Sequence, residues 1–115
     1  MTDRSPPPLP PAMAPRPTLR LWWLTAALIG LNLLMFVLGS LAGANPFSPD
    51  NVSLLRLGAN FAPLTATGES WRLLSSMFIH IGVLHLVINM WALYIFGSYA
   101  EFYFGRVFYL LLYLF

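Results

Sequence analysis

The chain has no cysteine and no lysine, and its 115 residues carry six arginines against four acids, a formal net charge of +2. Without cysteine there are no disulfides, thiolate nucleophiles or thiolate metal sites, and the redox compartment stays unspecified. Charged side chains make up 9% of the sequence. The pI near 9.4 therefore rests on a few scattered arginines. No basic cluster exists to follow a phosphate backbone, so nucleic acid is not an expected partner. No carboxylate lies between Glu69 and Glu101, and the two histidines, His80 and His85, are five apart with no glutamate after the first. That excludes the His-Glu-x-x-His zinc pattern. Both histidines sit near one helix entry, which is unsuited to holding a haem between two helices. No cofactor and no metal are expected.

What the chain does have is apolar surface. Hydrophobic residues make up 58% and mean hydropathy is +0.71, more than one small soluble core can hide. An integral membrane protein in contact with lipid is expected. Residues 1–20 hold seven of the ten prolines together with Arg4, Arg16 and Arg20, and read as a disordered arm. Residues 21–41 are uncharged, and at about 1.5 Å per residue they span roughly 31 Å, close to hydrocarbon thickness. This predicts a first transmembrane helix, with Trp22 and Trp23 at an interface. Gly39 and Gly43 form a small-xxx-small pair that either admits another helix or marks the helix end, and Asn32 reads as a helix contact. The basic start, apolar run and Ala42-Gly43-Ala44 imitate a secretory signal, but the run exceeds the ~7 to 15 residues of such a core, which favours a retained helix.

Residues 42–81 predict a partly structured loop resting on the membrane or the bundle, because Leu54, Leu55, Leu57 and Phe61 have no use in a solvated linker. Residues 73–100 carry no charge and are too many for one perpendicular span. Gly82 is the expected break, with a short interfacial element over 71–79 and a second transmembrane helix over 82–100. Glu101, Gly105 and Arg106 mark a turn. Residues 106–115 then read as the start of a third helix, too short to cross, so the chain is expected to be a fragment. The arginines of residues 1–20 place the N-terminus in the cytoplasm of a multi-pass plasma or inner membrane protein. The aromatics Tyr94, Phe96, Tyr99, Phe102, Tyr103, Phe104, Phe108, Tyr109 and Tyr113 read as lipid-facing or interfacial.

Within the second span, His85 and Asn89 lie about 40° apart on one helix face, whereas His80 would fall ~140° from His85 on an unbroken helix and so belongs above the Gly82 break. Polar groups at that depth are costly. An imidazole and a carboxamide projecting together can donate two hydrogen bonds to one oxygen, the arrangement that stabilises an oxyanion. The same pair could equally serve as polar glue between helices, at about 0.6 kcal/mol per bond.

The run Trp71-Arg72-Leu73 to Phe78-Ile79-His80, then Gly82, His85, Asn89, Glu101 and Gly105, resembles the rhomboid family of intramembrane serine proteases over residues 45–115. The resemblance implies an all-α polytopic membrane protein: a partial rhomboid-like bundle of two full transmembrane helices and the start of a third. It implies that His85 and Asn89 contribute to oxyanion stabilisation, that His80 organises the neighbouring loop, that Trp71 and Arg72 stabilise the first loop, and that Glu101 and Gly105 shape the turn between the second and third helices. It further implies an intramembrane endopeptidase acting on transmembrane protein substrates. The family nucleophile, in Gly-x-Ser-Gly, and its base histidine lie on later helices. No serine here fits that motif, since Gly68-Glu69-Ser70 is followed by Trp71, and the 115-residue chain alone is expected to be inactive. The alternatives are a non-catalytic rhomboid-like protein that binds transmembrane helices, and a small membrane anchor subunit.

Overall fold

The computed structural model describes residues 22–115, so the arm expected over 1–20 lies outside the described residues. Every regular element among the described residues is helical. The first, α1 (Trp23–Leu41), is a leucine- and alanine-rich run without proline, and it ends where Gly43 turns left-handed at φ 104°. The Ala44 and Gly43 amides then donate back to the carbonyls of Gly39 and Ser40.

Three short helices fill the following segment: α2 (Asn51–Leu57), α3 (Ala62–Ala66) and α4 (Arg72–Ser75), the last running into a 3-10 turn over Ser76–Phe78. The Asp50 carboxylate starts α2 by accepting from the Ser53 amide at 2.9 Å and the Ser53 hydroxyl at 2.6 Å. These bonds hold the exposed Asp50 carboxyl below its ordinary pKa. The segment packs back on α1 at Gly39, where a Cβ would stand 3.0 Å from a Leu57 methyl. The glycine pair thus divides its work, Gly39 admitting the loop and Gly43 ending the helix.

The chain re-enters a long helix at Gly82, whose φ of 92° and ψ of 166° belong to a region open essentially to glycine alone. The Val83 amide donates to the Pro46 carbonyl at 2.7 Å, tying the helix start to the chain just after α1. From there α5 (Val83–Ala92) passes through one wider π-helical turn, Leu93–Gly97, into α6 (Ser98–Leu114). Gly105 breaks α6 at φ 73° and ψ 168°. Residues 83–104 therefore form one rod of roughly 33 Å, and residues 106–114 fold back along it.

The returning segment brings Tyr109 over Gly97, where a Cβ would collide with the phenolic oxygen. Leu24, Leu28 and Tyr109 form the buried apolar centre, with Leu93, Ala100, Leu110 and Tyr113 packed around it. This corrects the reading of Tyr109 and Tyr113 as lipid-facing or interfacial. Tyr109 is 4% exposed, and the Tyr113 hydroxyl accepts from the Asn32 amide at 2.8 Å. Their placement follows from the fold-back at Gly105, which turns that face toward α1. Asn32 is a helix contact, also donating to the Leu28 carbonyl. Most other large apolar side chains of α1, α5 and α6 face outward. Two stretches, Trp23–Leu41 and Val83–Leu114, are long and apolar enough to cross a bilayer.

Candidate active site

The Gly82 break sets His80 just outside α5 and His85 and Asn89 one turn apart within it. His80 is buried. Its Nδ1 donates to the Phe78 carbonyl at 3.3 Å, which leaves Nε2 as the acceptor of a neutral ring. Burial pushes the His80 pKa below the usual imidazole value, the positive field of a protonated His85 pushes the same way, and the Phe78 bond opposes both. The His85 ring stands edge-on to His80, with centroids 5.7 Å apart and planes at 67°.

His85 lies on the exposed surface of the described residues, and Asn89 is half-buried. Asn89 faces a cavity of about 410 Å³ whose wall also includes His80, Asn32 and Tyr113. His80 also borders a second, more apolar cavity of about 240 Å³ between the end of α1 and the loop. Hydrogen-bond partners for the His85 ring and the Asn89 amide are absent among the described residues. The structure thus leaves the donors of both side chains available and links them through His80: one ring packs on it and the other side chain shares its cavity.

Arg72 organises the loop. Its guanidinium pairs with Glu69 at 2.6 Å through Nε, and Nη1 donates to the carbonyls of Leu55 at 2.7 Å and Ala59 at 3.1 Å. The same group stacks over the Trp71 ring at 4.7 Å. Trp71 and Ser75 close on Gly58, where any Cβ would be within 2.8 Å of both. Planar guanidinium chemistry suits this role, since one group reaches a carbonyl in the last turn of α2 and another just beyond it.

Glu101 does something its position in sequence does not announce. It lies within the helical rod, four residues before the turn at Gly105, and its buried carboxylate accepts from the amides of Leu24 and Thr25 at 3.2 and 2.9 Å, and from the Thr25 hydroxyl at 2.9 Å. These are the second and third residues of α1, whose preceding residue, Trp22, supplies no capping oxygen. A carboxylate from 76 residues away therefore performs the N-cap's task and meets the positive end of the helix dipole. Arg106 completes the cluster, 3.6 Å from Glu101 and stacked over Trp23 at 4.6 Å. Thr25 belongs to this cluster without having been singled out from sequence, and Tyr109 and Arg106, expected as an aromatic facing lipid or the interface and as a turn residue, join it. The available signal was the start of α1, which lacks a Ser, Thr, Asn or Asp cap. Groups of three or more metal-ligating side chains are absent among the described residues.

An all-helical integral membrane protein with a polar pair on its second long helix is the class these features define. The Rhomboid domain family model matches residues 67–115, which takes in Trp71, Arg72, His80, His85, Asn89, Glu101 and Gly105. Over 90 residues the chain is 39% identical to "Rhomboid protease GluP" of Bacillus subtilis (strain 168), covering 78% of this chain and 17% of that protein. It is 32% identical over 83 residues to "Rhomboid protease AarA" of Providencia stuartii, covering 72% and 29% respectively, and 40% identical over 65 residues to "RHOMBOID-like protein 6, mitochondrial" of Arabidopsis thaliana, covering 55% and 21%. Over these residues the chain is similar to rhomboid proteins. It spans less than a third of the length of each of these relatives. No solved structure matches it.

Proposed function

We propose that the intact protein is an intramembrane serine endopeptidase that cuts transmembrane or membrane-adjacent segments of other proteins. In this reading His85 and Asn89 stabilise the anionic oxygen that forms when a serine hydroxyl adds to the scissile carbonyl. The tetrahedral adduct collapses to an acyl-enzyme as the amine leaves, and water then releases the acyl group. The His85 ring N–H and the Asn89 amide N–H donate to the oxyanion, while His80 steadies the His85 ring from the loop side. Trp71 and Arg72 hold the loop, and Glu101 and Gly105 hold the helices on which the donors stand. The nucleophile and its base come from outside the 115 residues, so this segment alone is inactive. The chain is multi-pass, with its N-terminus in the cytoplasm.

The observation that carries this reading is the pair itself: two donor side chains one turn apart on a membrane helix, with no hydrogen bonds spent inside the described residues. Helix glue within this segment would spend them there, as Asn32 does on Tyr113. The relatives named as proteases support the reaction class. Single His85→Ala and Asn89→Ala variants of the full-length protein, assayed on a membrane substrate, test it. Each is expected to lower kcat by about 10² to 10³, the scale of one lost oxyanion donor. Undiminished turnover in both would refute it.

A further inference from the structure

The long helix that carries Asn89 is not uniform: one wider π-helical turn, Leu93–Gly97, separates the half that holds Asn89 from the half that holds Glu101. Such turns lodge one extra residue in a helix and recur at functional sites. At 3.6 residues per turn an unbroken α-helix would set Asn89 and Glu101 roughly 120° apart about its axis. Taking one residue out of the count reduces that to roughly 20°.

The contacts agree with the smaller angle. Glu101 faces α1 at Thr25. Asn89 faces a cavity walled in part by Asn32, seven residues further along α1. Thr25 and Asn32 are themselves nearly in line on α1, about 20° apart. One seam of α1 is thus addressed at both ends by the same helix. Gly97 closes the wide turn where the Tyr109 hydroxyl and a Thr25 methyl leave no room for a Cβ.

We infer that the turn over Leu93–Gly97 is a register device and that Gly97 is a positioning residue. With Glu101 anchored to the start of α1, the wide turn takes one residue out of the count and so keeps Asn89, and His85 with it, on the face where a substrate carbonyl is to be held. The same residues wound as a regular α-helix would point the donors about 100° away. This inference rests on the proposed role of His85 and Asn89 for its effect on turnover, though not for its geometry.

Deleting Phe96, whose side chain is largely exposed, removes one residue from the turn. A second variant keeps Phe96 and adds one alanine after Met90, which lengthens the count between Asn89 and Glu101 by one and sets them roughly 120° apart. Both are made in the full-length membrane protein, with any cysteines beyond residue 115 replaced and with Met90→Cys and Leu112→Cys as reporters. These two positions line one cavity, so a short bifunctional thiol reagent should bridge them in the parent. The expected result is bridging retained on deletion, since a regular α-helix one residue shorter reaches the same angle of roughly 20°, and bridging lost on insertion. In the reporter-free versions kcat should stay within about twofold on deletion and fall by about 10² or more on insertion, on the scale of displaced oxyanion donors, with KM held within about twofold in both. Bridging lost on deletion, or retained on insertion, overturns the register inference. Bridging that behaves as expected while kcat never moves upholds the register and sinks the oxyanion role instead.

Discussion

The Glu101 carboxylate and Thr25 are joined twice, through the Thr25 amide and the Thr25 hydroxyl, both at 2.9 Å. The first long helix is therefore capped by a residue near the end of the second rod, and the geometry of one helix depends on the other.

Removing that cap should loosen the bundle as a whole. Glu101→Ala is expected to cost about 1 to 3 kcal/mol, since it leaves two buried amides at the start of α1 without an acceptor. Glu101→Gln retains one acceptor oxygen and should cost less. Thermal unfolding of the detergent-solubilised protein would order them as parent, Gln, Ala. A Glu101→Ala variant as stable as the parent would remove the cap from the account.

Gly82 and Gly105 occupy the same backbone region, at φ 92° and 73°, but in different surroundings. A Cβ at Gly82 would stand 2.8 Å from the Phe47 carbonyl oxygen, whereas one at Gly105 meets nothing within 4 Å. Gly105→Ala should therefore incur only conformational strain, of order 1 to 3 kcal/mol. Gly82→Ala adds a backbone clash and should be the more damaging of the two, with the larger fall in Tm.

At Arg72 the prediction concerns geometry more than charge. Arg72→Lys keeps the positive charge but loses the planar group that reaches Glu69, Leu55 and Ala59 together. Hydrogen exchange at the end of α2, residues 55–59, should accelerate in Arg72→Lys and further in Arg72→Ala, while exchange within α1 changes little.

His80 gives the loop a pH dependence of definite sign. Its pKa is depressed in the folded protein, chiefly by burial, so the unfolded state binds more protons in the window below the usual imidazole value of about 6.5. The stability it contributes is present above that value and is lost as pH falls toward the lower folded-state value. Tm measured from pH 8 down to pH 5 should fall less steeply in His80→Gln than in the parent.

Much of this arrangement is legible in the residues themselves. The spacing of His85 and Asn89 and the run without charge on either side mark a polar pair on a membrane helix, and Gly82 marks the break before it. The cap on α1 was not legible, because its donor and acceptor lie 76 residues apart and a single glutamate beside a turn reads equally well as part of that turn. Tyr109 and Tyr113 were misread for a related reason: in a segment this rich in aromatics, only the fold-back at Gly105 distinguishes a tyrosine facing a helix from one facing lipid. The wide turn at Leu93–Gly97 leaves no mark in composition, since an extra residue in a helix changes phase and not polarity.

The most direct measurement is kcat for Asn89→Asp beside Asn89→Ala in the full-length protein, with substrate saturating and expression matched. Aspartate keeps the size of the side chain but replaces a donor with a carboxylate that repels developing negative charge, so the account predicts that Asn89→Asp is slower still than Asn89→Ala. Asn89→Asp turning over at the parent rate would contradict it.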